Sequence, residues 1–386
     1  MRVPYLDLRR ETAALRVELD AAIARVLDSG HYILSEEVDR FELAFATACG
    51  ATHAVGVASG TDAITIALLA ADIGPGDEVI TAPNTCIPTI VGIERAGATP
   101  VLADVDPATY TLDPTDVERR LTPRTKAILP VHLYGQPADV ESLLTLGAAR
   151  GVVVVEDCAQ AHGATVAGRP VGSFGVASAF SFYPTKNLGA LGDAGALVTQ
   201  SDQIAGHARL LRNYGERERF EHVLRGLNSR LDPIQAAILS TKLPKLEASV
   251  LRRRALADVY RDALEGTSLI TPKTVPGREH SYHLFVVQAP ERDAFRCALA
   301  EAGVDSAIHY PTPVHRQPAY RELDVPGGFP VAEALCERVV SLPLSETHTD
   351  DEIAYAAAAA QEAAGSPTTS ASAVRLSPSA SSTDAS

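Results

Sequence analysis

One lysine in this chain stands in a setting that could make it reactive. The stretch SAFSFYPTKNLGALGDAGALV (residues 178–198) holds Lys186 in a loop of small and turn-forming residues between two short apolar segments that read as strands. The chain has five lysines, and the other four (Lys126, Lys242, Lys245, Lys273) fall in segments that read as helix surface or loop. Apolar, glycine-lined surroundings disfavour the charged amine, lower its pKa and make it a better nucleophile toward a carbonyl, as a Schiff-base lysine requires. A surface lysine in a strand connection is the competing reading.

A second segment, GVVVVEDCAQAHGA (residues 151–164), runs four valines into Glu156 and Asp157. Such a run suits a strand buried on both faces, and an acid at its carboxyl end points into a ligand crevice. A buried carboxylate there needs a cationic partner, and a protonated pyridine nitrogen is the partner that pyridoxal phosphate sites supply. Standing alone, Asp157 would read as a helix N-cap. Third, VGVASGTDAITIALL (residues 55–69) runs a short strand through Ser59-Gly60-Thr61 into an apolar helix, which aims backbone N–H groups and the positive helix end at an anion such as a phosphate. Ser181, five residues before Lys186, can add a hydroxyl to that phosphate.

In the order phosphate cup, acid, lysine, the chain resembles a sugar aminotransferase of the DegT/DnrJ/StrS type, a branch of the fold-type I pyridoxal phosphate enzymes. The resemblance covers about residues 3–344 and rests on PYLDL, ASGTDAI, GDEVITAP, PVHLYGQPAD, EDCAQAHGA, SFYPTKNLGALGDAGALVT, LRNYG, NSRLDPIQAAIL, YHLFVV and HYPTPVHRQPAY, all in register. It implies pyridoxal 5'-phosphate as cofactor, with Lys186 as its Schiff-base partner and Asp157 on the pyridine nitrogen. It further implies Gln160 near the ring hydroxyl, and Gly60, Thr61 and Ser181 on the phosphate with Asn228 reaching it from a neighbouring subunit. Tyr214 lines the site in this scheme. Arg230 is a candidate for anionic groups of the substrates, against a structural ion pair. His162, His309 and His315 are candidate substrate contacts, with a core hydrogen bond as the alternative for each. No metal is implied. One departure stands out: where the family often places a ring-stacking aromatic after GDEVITAP, this chain reads NTCIPTI, with Cys86 near that place.

The implied reaction is a ping-pong transfer of an amino group from L-glutamate to a nucleotide-linked keto sugar. The stretches LRNYGERERFEHVLRGLNSRLD and HYPTPVHRQPAY are most similar to members acting on 3-keto-6-deoxyhexoses linked to deoxythymidine diphosphate. A 4-keto sugar aminotransferase, a sugar dehydratase and a noncatalytic regulator are the competing classes. Dehydratases of the family replace the lysine with histidine, which Lys186 argues against. Retention of lysine, acid and cup together argues against a regulator.

At 386 residues and 46% hydrophobic content the chain can bury a large core, and a formal net charge of -14 argues against nonspecific nucleic-acid binding. Its five cysteines show neither metal spacing nor a secreted framework, and no apolar run spans a membrane, so a cytoplasmic protein is expected. An opening helical segment over about 8–27 precedes alternating strand and helix patterns, which read as an α/β fold with a mostly parallel sheet covered by helices. A long helix from about 232, with arginines on its outer face, leads into a smaller α/β unit. The expected divisions are a cofactor-binding domain at 1–240, a small C-terminal domain at 241–365 and a disordered tail at 366–386. A homodimer with shared active sites is expected from the resemblance.

Overall fold

The computed structural model describes residues 1–365, and the expectation of disorder at 366–386 lies outside the described residues. The chain opens with α1 (Leu8–Ala14), α2 (Arg16–Ser29) and α3 (Glu36–Ala48). The single opening helix expected over 8–27 is therefore two, because Leu15 leaves the helical path at φ -116° and ψ 11°. Strand and helix then alternate through β1 (His53–Val57), α4 (Gly60–Ala70), β2 (Glu78–Thr81), α5 (Ile87–Arg95), β3 (Thr99–Leu102), α6 (Pro114–Arg120), β4 (Thr125–Ile128), α7 (Val140–Arg150) and β5 (Val153–Asp157). A hairpin of β6 (Thr165–Val166) and β7 (Arg169–Pro170) leads to β8 (Ala177–Ser181) and β9 (Gly195–Thr199). After them come α8 (Asp202–Leu211), a second hairpin of β10 (Glu216–Glu218) and β11 (Glu221–His222), α9 (Pro233–Lys242) and α10 (Leu246–Leu264). The last part holds β12 (Arg278–Glu279), β13 (Phe285–Gln288), α11 (Arg292–Glu301), α12 (Pro330–Arg338), β14 (Val339–Leu342) and α13 (Asp350–Ala364).

The central sheet has the order β1-β9-β8-β5-β4-β2-β3. β9 runs antiparallel to both its neighbours and the other pairings are parallel, so six strands share one direction and present their carboxyl ends along one edge. Burial explains the strand sequences: both faces are covered by helices, and the strands are apolar throughout rather than alternating. Helix α4 is likewise apolar on nearly every side because it lies under α5 and against β8 and β9, with Ile66, Ala67 and Leu68 fully buried. Burial of each such branched side chain stabilises by about 1.5–3 kcal/mol.

The expected long helix from 232 is interrupted. Pro244 cannot donate to the helical ladder, and a turn of 3-10 helix at Leu243–Lys245 separates α9 from α10. Two sequence expectations fail here. Lys242 is not a surface lysine but is buried against Glu11 at 2.6 Å. Arg253 does not lie on an exposed basic face: it turns inward, where one Nη donates to the carbonyls of Tyr282, His283 and Leu344 and the other meets Glu346 at 2.7 Å. A buried guanidinium is tolerable only because so many acceptors surround it. Around α10 a second apolar core forms from Leu256, Tyr260, Phe285, Leu299, Val340 and Ile353, while the first core follows the central sheet. No helix among the described residues is long and apolar enough to cross a membrane.

Candidate active site

The carboxyl edge of the parallel strands assembles the chemistry. β5 ends at Asp157, 3% exposed, whose Oδ1 accepts from Ala159 N at 3.0 Å and Oδ2 from the Thr89 hydroxyl at 2.9 Å. Burial pushes its pKa up, and those hydrogen bonds with the charge of Lys186 only partly counter it. Both direct donors are neutral, so a cationic N–H is the partner this carboxylate gains most from, which suits a pyridine nitrogen. Thr89, in the first turn of α5, was not singled out by sequence, since only the fold brings α5 over the end of β5.

Adjacent Glu156 points to the opposite face, as alternation along a strand requires. Its Oε2 accepts from Gly172 N (2.9 Å) and His132 Nε2 (3.1 Å), and its Oε1 from the N–H groups of Phe174 and Gly175 (both 2.8 Å). Burial alone would raise the Glu156 pKa, but these bonds outweigh it and hold the carboxyl below its usual range. His132 Nδ1 accepts from Ala138 N at 3.0 Å, so its proton sits on Nε2 and points at Glu156. Although His132, Glu156 and Cys158 cluster closely enough to suggest a metal site, that tautomer leaves no imidazole lone pair for an ion.

Lys186 sits in the loop after β8, and burial lowers its pKa, with Cys86 and Asp157 pulling it back only in part. The amine therefore sheds its proton more readily than an ordinary lysine. Burial and the charge of Lys186 also depress His309, to about 4, and His283 more strongly, so both rings are neutral near pH 7. His309 Nδ1 meets Ser341 Oγ at 2.8 Å, and its ring stacks on Tyr5. His283 was not among the residues picked from sequence; it lines a small cavity with Tyr5, Thr185 and His309. Gln160 is locked by its neighbours: its Oε1 accepts from Tyr134 N at 2.7 Å and its Nε2 donates to Tyr310 Oη at 3.1 Å. Burial and the adjacent Cys86 raise the Tyr310 pKa, so Cys86 lies beside a protonated tyrosine in the segment where this chain departs from the family's usual ring-stacking aromatic.

The phosphate cup is built by close packing. Ser59 Oγ caps α4 by accepting from Asp62 N at 3.1 Å. A Cβ at Gly60 would lie 2.6 Å from the Cβ of Ser181, so only glycine lets the start of α4 rest on β8. Ser181, Gly60 and Thr61 are thereby gathered at one helix N-terminus, which favours an anion. Asp62 is held by Arg95 and by the Ser229 hydroxyl at 2.7 Å, and Ser229 Oγ in turn accepts from Ala58 N at 3.2 Å. Ser229 thus ties the NSR segment to the cup.

Beyond it, Asn228 is exposed, and so is Tyr214, at 44%. Arg230 donates to Asn213 Oδ1 at 3.0 Å and lies over the Tyr214 ring at 5.2 Å. These three residues form a separate group beside the β10–β11 hairpin, with Asn228 and Tyr214 exposed and Arg230 half-buried. Two histidines turn to structural partners. His315 is buried against Phe329 and pairs with Glu333 at 2.9 Å, a structural role. His162 packs against Phe180 and Phe182, on the face of β8 opposite Ser181. A cleft of about 480 Å³ opens beside Asn187. Its cations Lys242, Lys245 and Arg252 are already paired with Glu11, Glu18 and Asp350, so a diphosphate there has to compete with carboxylates.

A desolvated lysine, a strand-end acid and a helix N-terminus on one edge of a mostly parallel sheet define a pyridoxal phosphate enzyme of fold-type I. Residues 14–361 match the DegT/DnrJ/EryC1/StrS aminotransferase family, and the chain belongs to it. A dTDP-3-amino-3,4,6-trideoxy-alpha-D-glucose transaminase from Streptomyces venezuelae is 48% identical over 345 residues, 89% of this chain and 91% of that protein. Among solved structures, DesV of S. venezuelae in complex with a ketimine intermediate superposes with a TM-score of 0.93 at 46% identity, covering 95% of this chain and all of that one. NtdA from Bacillus subtilis, with bound cofactor PMP, gives 0.87 at 28% identity over 94% of this chain and 85% of its own. The chain is a pyridoxal 5'-phosphate-dependent aminotransferase.

Proposed function

We propose that this aminotransferase moves an amino group from L-glutamate to the 3-keto position of a dTDP-linked 6-deoxyhexose. The observation that carries the transfer chemistry is the buried Asp157 ending β5, held by Thr89 and Ala159 N, beside the half-buried Lys186 of the loop after β8. The 3-keto position and the nucleotide rest on the resemblance and on the 3-amino sugar named for the S. venezuelae transaminase.

When bound, pyridoxal phosphate supplies an aldehyde that carries the amino group and a ring that spreads the charge of a deprotonated carbon. The chain's own residues do the rest. Gly60, Thr61 and Ser181 hold the phosphate. Asp157, positioned by Thr89 and Ala159 N, keeps a proton on the ring nitrogen. Gln160, fixed between Tyr134 and Tyr310, orients the ring hydroxyl. Lys186 Nζ would take up the proton that leaves the α-carbon of the donor. In the second half it returns a proton to the sugar carbon that receives the amine. Neutral His309 adds a hydrogen-bonding group for the sugar without charge, and His283 stands beside it.

A homodimer completes the site in this reading: Asn228 reaches the partner's phosphate, with Tyr214 and Arg230 alongside. The exposure of Asn228 and Tyr214, together with 80% exposure of Phe220 on the hairpin, supports it. The division into a cofactor-binding domain at 1–240 and a small domain at 241–365 is supported in part by a second core around α10, although Leu284, Val286, Phe329 and Val339 pack into the first. The five unbonded cysteines support a cytoplasmic setting.

The test is spectroscopic. Adding L-glutamate to the holoenzyme should shift the visible absorption of the cofactor to the near ultraviolet, and a dTDP-3-keto-6-deoxyhexose should restore it. Lys186→Ala should show neither change. Restoration by a 4-keto isomer alone would overturn the assigned ketone, and indifference to glutamate the assigned donor.

A further inference from the structure

The acid that ends β5 is held by a hydroxyl chain that reaches past its direct contacts. Thr89 donates to Asp157 Oδ2 at 2.9 Å, and the Thr85 and Thr89 hydroxyls lie 2.8 Å apart across the start of α5. Thr85, Thr89 and Asp157 are 5%, 2% and 3% exposed, so water hardly competes for these bonds.

A threonine hydroxyl carries one proton, and an ionised carboxylate only accepts. The Thr89 proton goes to Asp157, so the proton between the two threonines comes from Thr85, whose hydroxyl has no other partner among the described residues. Donation therefore runs one way, from Thr85 to Thr89 to Asp157, and each bond polarises the next. The last bond is strongest when its acceptor is charged, which favours the ionised carboxyl.

The surroundings hold this line in place. A Cβ at Gly92 would lie 2.7 Å from Ile64 Cγ2, and the Thr65 hydroxyl donates to Gly92 O at 3.1 Å, so α5 is pressed onto α4. The loop bearing Thr85 is fixed by Asn84 Nδ2, which donates to Tyr110 O at 2.9 Å, and by Pro83 O, which accepts from Val314 N at 2.8 Å. Burial raises the Asp157 pKa, whereas Ala159 N, Thr89, Lys186 and His132 lower it; Cys158 beside it stays a neutral thiol.

We propose that Thr85 is a positioning residue for aminotransfer, acting through Thr89 to hold Asp157 as the ionised partner of the cofactor's ring nitrogen. The inference rests on the assignment of Asp157 to that nitrogen, and it makes the hydroxyl of Thr85, not its shape, the feature that counts.

Two ligands separate these effects: pyridoxal phosphate and its carbocyclic analogue, in which CH replaces the ring nitrogen. Both keep the aldehyde and the phosphate, and both are titrated into the apoprotein by absorbance. Wild type should prefer pyridoxal phosphate by about tenfold or more. Thr85→Val, which keeps the shape and removes the hydroxyl, should weaken pyridoxal phosphate about fivefold and leave the analogue unchanged. Thr89→Val should act in the same direction, by about twentyfold. Thr85→Ser, which keeps the hydroxyl and loses the methyl, should match wild type. Retained affinity for the analogue certifies the fold, and Thr85→Ala carries the comparison if Thr85→Val does not fold. A wild-type preference between the ligands that Thr85→Val leaves intact, or a loss in Thr85→Ser as large as in Thr85→Val, would make Thr85 a packing residue and overturn the chain alone. Equal wild-type affinity for the two ligands would remove Asp157 from the ring nitrogen, and the chain with it.

Discussion

Lys186 and Asp157 illustrate how burial prepares residues for opposite tasks. The same desolvation that lowers the amine raises the acid, and each is then moderated by the other's charge. The sign for the lysine is definite: its proton leaves at lower pH than the ordinary value of 10.5, so the free amine is already enriched near neutrality. Capture of pyridoxal phosphate by the apoprotein should therefore quicken as pH rises and level off below pH 10.5, and Lys186→Arg should capture none. A stopped-flow record of aldehyde uptake from pH 6 to about 11.5 checks this, and a rate still climbing above 10.5 would contradict the lowered pKa. Lys186 and Asp157 were legible in sequence because Lys186 is the one lysine in a glycine-lined apolar setting and Asp157 closes a run that opens with four valines. Thr89 and His283 were not, since a threonine or a histidine in a mixed segment carries no mark of what it will face.

At the scale of elements, the start of α4 on β8 is decided by missing atoms. With a methyl at Gly60, Ser181 and the helix could not both stay in place. Gly60→Ala should cost about 1–3 kcal/mol through overpacking and weaken pyridoxal phosphate binding about tenfold. Thermal melting of the apoprotein and a cofactor titration read the two effects apart, and an unchanged affinity would show that the helix start does not hold the phosphate. Strand-helix alternation was readable from period and punctuation, but helix ends were not. Leu15 divides the opening segment and Pro244 the long one, and of the two only proline announces a break in sequence. Arg253 shows a further limit: on a helix rich in arginine, nothing local tells which guanidinium will find carbonyls within the fold.

For the whole molecule, the proposed homodimer would complete its sites across two copies of the chain, through Asn228 beside Tyr214 and Arg230. Lys186→Ala and Asn228→Ala should each be nearly inactive alone. Random pairing of the two after mixing should restore about a quarter of wild-type activity, because half the dimers then hold one intact site. No recovery after verified subunit exchange would place Asn228 on its own chain's phosphate.

The sequence by itself determined the class of chemistry. A lysine among glycines, an acid ending a valine strand and a glycine turn opening an apolar helix are local patterns, and their order along the chain survives any packing detail. Tertiary structure alone decided which neighbours each group keeps. Glu156 and Asp157 are adjacent in sequence, yet one is consumed by His132 and three backbone N–H groups while the other faces Thr89 and the site. His162, His309 and His315 look alike as residues in recognisable motifs, yet one packs against Phe180 and Phe182, one meets Ser341 and one pairs with Glu333. Hydrogen bonds and desolvation are set within a few ångströms by segments distant along the chain, which is why those assignments required the fold.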